Sequence, residues 1–205
     1  MVWKEQFIGF RYLIQSITEF KEYHGINVSV LAYLDKTKIP ISIDIGFGDV
    51  VHPDRVLMDF PVLLDMEIPT IYAYSLASAV SEKFEAIVSL GYANSRLKDF
   101  YDVYILLCNF DFDGNELCEA IIETFSHRGT RMDDIVAFED DFADDTTRRN
   151  RWNAFVKKKR AMVIIEFSDL LISMKLFLEP VINAINKQET YEGKWISGKK
   201  IWQLF

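Results

Sequence analysis

Residues 75–108 carry two consecutive apolar patterns of helical period joined by one glycine, and this stretch limits the fold more than any other. Leu76, Val80, Phe84, Ile87 and Val88 recur at spacings of three and four, the stripe of an amphipathic helix. Ser75 stands where an N-cap belongs and Gly91 where a left-handed C-terminal cap belongs, so the pattern predicts a helix over 76–90. Phe100, Val103, Tyr104, Leu106 and Leu107 predict a second, well-buried helix over about 97–108. That helix opens with Lys98, Asp99 and Asp102, and positions three and four apart are neighbours on a helix face. Lys83 lies on the first helix, at the edge of its apolar stripe. If the Gly91 turn folds one helix against the other, two lysines and two carboxylates meet at one cleft and form a phosphate-handling cluster. The alternative is local. Acids near a helix N-terminus complement its dipole, and Lys98 can pair with either acid, or with Asp102 alone at the four-residue spacing.

The segment before these helices reads as β. Val28, Val30, Ala32 and Leu34 share one parity, residues 35–38 form a polar turn, and Ile39, Ile41, Ile43, Ile45 and Phe47 share another. This is a hairpin with one strongly apolar face. The opposite face of its second strand carries small residues and one carboxylate, Asp44. A half-exposed strand residue is the plain reading of Asp44, and Asp49 reads as a turn or capping residue. Residues 1–23 hold many aromatics in a mixed period, helical near Lys4–Phe10 and extended after that. Residues 56–58, 62–64 and 70–74 read as short extended segments punctuated by Pro61 and Pro69.

Beyond the second helix, Asp113 is a good N-cap for a helix over 115–126, which His127-Arg128-Gly129 ends. Asp144, Asp145 or Thr146 caps a helix reaching about Arg160. That helix is rich in cations: Arg148, Arg149 and Arg151 early, Lys157, Lys158, Lys159 and Arg160 late. A solvated face is the first reading and a docking patch for RNA phosphates the alternative, with adjoining acids partly cancelling the field. Residues 167–186 form the longest helix, which Pro180 should kink or split. The aromatic, basic tail from Tyr191 to Trp202 is expected to pack back on the body. The fold class is α+β, with a sheet region over 1–75 and a helical region over 76–205.

Several classes are excluded by content. A net charge of −8 argues against non-specific nucleic-acid binding over the whole surface, so any such contact needs a local basic patch. The opening residues lack the pattern of a signal peptide, and no run approaches eighteen uncharged apolar residues, as a membrane helix requires. Cys108 and Cys118 sit in apolar helical contexts and read as buried free thiols, which suits a reducing compartment; cytoplasm is the default. No Gly-rich phosphate loop, zinc-ligand spacing or Ser-His-Asp context is present. Carboxylates on a strand together with lysines at helix positions suit Mg²⁺ and a triphosphate, because Mg²⁺ prefers oxygen ligands and keeps positions open for substrate phosphates. The general reading is nucleotide phosphate chemistry with a metal.

Three stretches, in this order, resemble the AbiEii/AbiGii family of nucleotidyltransferase-like toxins: residues 41–49 (ISIDIGFGD), 82–86 (EKFEA) and 94–102 (NSRLKDFYD). The helix around Trp152-Asn153-Ala154-Phe155 and the closing Gly193-Lys194-Trp195 with Trp202 also look like the C-terminal part of that family. The resemblance covers the chain from about Ile17 onward. It implies a partial polymerase β-like nucleotidyltransferase sheet followed by a mainly helical C-terminal region. It also implies transfer of a nucleoside monophosphate from an NTP, with Mg²⁺, to RNA (tRNA ends in related toxins) or to protein. The setting it implies is abortive infection, a form of phage defence, in type IV toxin–antitoxin systems, with a cognate antitoxin acting mainly on transcription. By the same resemblance Asp44 is the strand carboxylate near the metal, Lys83 contacts the triphosphate, and Lys98, Asp99 and Asp102 form the helix motif. Asp99 is then the principal catalytic contributor and Lys98 a phosphate contact.

The family's Gly-Gly or Gly-Ser motif and its Asp-x-Asp strand do not precede Asp44 in this sequence. Asp111-Phe112-Asp113 comes too late in the chain and reads as a turn. The chain is therefore expected to be the C-terminal two-thirds of such a toxin, whether by truncation, a split gene or degeneration. Its activity alone is expected to be weak or absent, the alternative being a non-catalytic remnant that serves as a binding module. A third reading is an unrelated α+β domain whose acidic helix start only complements the dipole. An incomplete sheet should leave an apolar face or edge open, so self-association is expected.

Overall fold

The alternating segment around Val28 and Ile43 folds into a three-stranded antiparallel sheet, β1 (Ile8–Ile17), β2 (Gly25–Leu34) and β3 (Thr37–Gly46), in that spatial order. The computed structural model describes residues 8–17, 25–47, 51–133, 135–159 and 163–205. The chain divides into two compact units, residues 1–49 and 50–205. The division at 75/76 drawn from the sequence followed the change from strands to helices, whereas the contacts group the hairpin after residue 50 with the helices. The class is α+β.

In the N-terminal unit the β2–β3 turn is the pair Asp35-Lys36, with Asp35 at φ 55°, a conformation that Asp tolerates better than most side chains. The register pairs Val28 with Ile43 and Val30 with Ile41, which puts the apolar residues of the two strands on one face. That face remains open: Ile39, Ile41, Ile43 and Ile45 keep 40–48 % of their surface. Residues 8–10 belong to β1 and pair with β2, which corrects the helix expected there; residues 4–7 lie outside the described residues.

The larger unit opens with a small hairpin, β4 (Val56–Asp59) and β5 (Thr70–Ala73). Residues 62–64, expected as extended, are an irregular bend between the two strands. Six α-helices follow among the described residues: α1 (Leu76–Leu90), α2 (Leu97–Asn109), α3 (Gly114–Arg128), α4 (Asp140–Asp144), α5 (Thr146–Lys159) and α6 (Phe167–Asn186). The boundaries of α1 follow from its caps. The Ser75 side chain accepts from Ser78 N at 3.0 Å, and Gly91, at φ 48°, returns its N–H to Ile87 and Val88 carbonyls. Asp113 caps α3 and Gly129, in the left-handed conformation, ends it. Asp145 caps α5 by accepting from Arg148 N.

Pro180 does not split α6. Its missing N–H takes the helical donor from the Leu176 carbonyl, and beside it Trp202 Nε1 donates to Phe177 O at 2.9 Å, tying this turn to the tail. The tail does pack on the body, and it does so as β-structure: β7 (Gly193–Ile196) and β8 (Ile201–Leu204) form a hairpin, with the two-residue β6 (Phe112–Asp113) alongside β7. Trp195 is buried and donates to Leu107 O in the last turn of α2 at 2.7 Å. One apolar core joins Phe84, Phe100, Leu107, Phe125, Trp152, Phe167, Phe177 and Trp195. Leu76, expected on the buried stripe of α1, is exposed.

Candidate active site

The first two helices of the larger unit do pack together, and their polar residues divide between two faces of α1. Lys83 points toward α2. Its Nζ lies 2.7 Å from Asp102 Oδ2 and 3.8 Å from Asp99 Oδ1. Lys98 Nζ reaches the same Asp102 oxygen at 2.5 Å across the four-residue spacing. Lys83, Lys98, Asp99 and Asp102 are thus one cluster, brought together by a turn that begins at Gly91. Burial alone would raise the Asp102 carboxyl, but the hydrogen bonds and charges of Lys83 and Lys98 outweigh it and hold that carboxyl below its ordinary value. Asp102 therefore stays ionised and anchors both lysines.

Asp99 sits differently. Its side chain is only 6 % exposed in the first turn of α2, where the dipole favours an anion. Arg96 Nε is 2.8 Å from Asp99 Oδ2, yet that oxygen accepts no hydrogen bond. The two observations agree once geometry is considered: the distance makes an ion pair, but the N–H does not point at the oxygen. Arg96 is itself 62 % exposed at its side chain and can turn away. A buried carboxylate oxygen with an open acceptor site is rare because the lost solvation is costly. The sequence pattern assigns Arg96 no role. Its signal was available, three residues ahead of Asp99 at the start of the helix.

The other polar face of α1 was not legible from the sequence. Glu85, fully buried, accepts from Arg128 at 2.7 Å and from Thr130 at 2.6 Å, and Arg128 also meets Glu82. This ties α1 to the end of α3 and fixes the helix that carries Lys83. Asn94, buried in the connection, accepts from Arg96 N at 2.7 Å and so shapes the entry to α2.

Asp44 belongs to the N-terminal unit and is described there. It lies on the polar face of β3, opposite Asn27, whose amide donates to Asp44 at 2.6 Å and to Ser42 at 2.7 Å. Asp111-Phe112-Asp113, expected at a turn, includes strand β6. Asp111 accepts from Ser197 N and Oγ, and Asp113 is spent capping α3. Neither acid faces the cluster's role.

No three metal-ligating side chains converge among the described residues. In the helix cluster the carboxylates are already faced by Lys83, Lys98 and Arg96, a donor set that suits an anion and not a resident Mg²⁺. Hollows of about 430 and 610 Å³ elsewhere in the larger unit include none of these residues. No helix is long and apolar enough to cross a membrane among the described residues.

No curated protein and no solved structure matches the chain. A family model described as nucleotidyl transferase AbiEii toxin, type IV toxin–antitoxin system, matches residues 3–171. The match begins earlier than Ile17, taking in β1, and it stops before the β7–β8 hairpin. It spans Asp44 and every member of the helix cluster, and over that span the chain belongs to the AbiEii nucleotidyl transferase family of type IV toxins, which work against an antitoxin partner.

Proposed function

We propose that this chain transfers a nucleoside monophosphate from an NTP to an RNA acceptor, with tRNA as the first acceptor to test and protein as the other. The observation that carries the reading is Asp99: a buried carboxylate with Lys83 near Oδ1 and Arg96 near Oδ2, the latter oxygen accepting no hydrogen bond. In the proposed reaction an RNA hydroxyl attacks the α-phosphorus, the new O–P bond forms, and the bond to the leaving pyrophosphate breaks. The hydroxyl proton goes to Asp99. Lys83 and Lys98 neutralise the triphosphate, and Asp102 keeps both lysines in place until it arrives. Mg²⁺ enters as part of the substrate, as Mg·NTP.

A second reading has its own support. The positions two residues either side of Asp44 in β3 are Ser42 and Gly46, so this strand offers no Asp-x-Asp pair. On that ground we propose slow transfer by this chain alone, with a non-catalytic binding module as the alternative. The role in abortive infection, an antitoxin acting on transcription, and self-association through the open face of β3 belong to the same proposal. The deciding assay incubates the protein with each α-labelled NTP, Mg²⁺ and bulk tRNA. Label transfer that falls at least 100-fold in Asp99→Asn supports the transferase. Absence of transfer from all four nucleotides favours the binding module.

A further inference from the structure

Helix α5 presents a cationic face with no acid on it. Its sequence contains Arg148, Arg149, Arg151, Lys157, Lys158 and Lys159 and neither Asp nor Glu. Set aside, these leave the rest of a −8 chain at −14; Asp140, Asp141, Asp144 and Asp145 just before the helix weaken the field at its start, so a polyanion is attracted at close range by the exposed cations themselves. Arg148 is committed to the fold: it is buried over the Phe142 ring and donates to the carbonyls of Phe142 and Tyr92. Arg149, Arg151, Lys157 and Lys158 are exposed, and none of the four is in an ion pair with a described residue. Lysines at a helix C-terminus complement its dipole, but arginines in the first turns oppose it. Helix stability therefore accounts for Lys157 and Lys158 and leaves Arg149 and Arg151 unexplained.

The placement of α5 supplies the second argument. It packs on Tyr101 of α2: the Tyr101 ring lies 6.0 Å from Phe155 and 6.3 Å from Trp152. Tyr101 is one turn from Lys98 on α2 and immediately precedes Asp102, so α5 flanks the cluster on its Lys98 side. From Arg149 to Lys157 the cations run about 12 Å along the axis at 1.5 Å per residue.

We infer that the exposed face of α5 is a docking surface for the phosphate backbone of an RNA, which it holds beside Lys98 so that an RNA end reaches Asp99. This rests on the RNA-acceptor reading above. The test is fluorescence anisotropy of labelled unfractionated tRNA against the wild type and a variant combining Arg149→Gln, Arg151→Gln, Lys157→Gln and Lys158→Gln. The expected result is at least a tenfold loss of affinity at 100 mM salt, with the slope of log K against log salt shallower by about 3, from ~0.7–0.9 per phosphate contact. A Lys157→Gln/Lys158→Gln pair should show about half that slope change and serves if the fourfold variant does not fold. Wild-type affinity and slope in both variants would overturn the inference, as would binding to anionic phosphatidylserine vesicles with none to tRNA. Label transfer is read in parallel. Variant-sensitive tRNA binding without transfer by the wild type supports the docking face while refuting the chemistry.

Discussion

Replacing Asp99 by alanine should leave the fold as stable as before or more so, the opposite of what removing a structural ion pair does. An acceptor buried without a partner costs about 1–3 kcal/mol, and more when charged, and alanine removes that cost. Against this stand three losses. The contact with the exposed Arg96 is worth about 0–1 kcal/mol. The 3.8 Å approach of Lys83, which keeps Asp102 at 2.7 Å, is worth no more. The dipole interaction in the first turn is worth about 0.3–1 kcal/mol. Alanine returns roughly 0.5 kcal/mol through helix propensity. Taken at the middle of these ranges, the net change is about 1 kcal/mol of stabilisation, a midpoint rise of roughly 2–4 °C for a chain of this size. Urea unfolding followed by tryptophan fluorescence is suited to this, because Trp152, Trp195 and Trp202 all lie in the larger unit. A loss exceeding about 1.5 kcal/mol would refute the reasoning. Asp99 would then be a structural partner of Arg96 and Lys83, and its open oxygen no sign of chemistry.

Asp102 should behave in the opposite sense. Its carboxyl is held below the ordinary value of 3.8 in the folded state, so its contribution is present above that value and is lost as pH falls through the lower folded value. The stability gap between wild type and Asp102→Asn should be constant from pH 7 to about 5 and shrink below about pH 4; a gap that grows on acidification would contradict the ion-pair assignment. Self-association through the β3 face should give a concentration-dependent sedimentation coefficient in analytical ultracentrifugation, reduced by Ile41→Lys and Ile43→Lys together. A monodisperse monomer across that range would count against it.

What could be read from the sequence was what neighbours along the chain decide. Ser75, Asp113 and Gly129 are caps, their partners lie within a few residues, and the ends of α1 and α3 followed. The hairpin of β2 and β3 followed from its alternation. The cluster of Lys83 with Lys98, Asp99 and Asp102 was legible because one short connection brings α1 and α2 together. The pairing of Glu85 with Arg128 was not, since 43 positions separate them and nothing local distinguishes a buried glutamate from a solvated one. The strand character of the tail depends on Phe112 meeting Trp195 across the fold, a long-range pairing that two short apolar runs do not announce. Arg148 looked like one more surface cation because its acceptors, the Tyr92 and Phe142 carbonyls, are visible only once α4 and α5 are packed.

Binding of nucleotide phosphates by the α1–α2 cluster, whatever the rate of transfer, is the property on which the proposed function depends most directly. Isothermal titration of the protein with Mg²⁺ and a non-hydrolysable α,β-methylene NTP should give saturable binding that Lys83→Ala weakens at least tenfold, about 1.4 kcal/mol. Binding that Lys83→Ala leaves unchanged, or no binding of any of the four nucleotides, would contradict it.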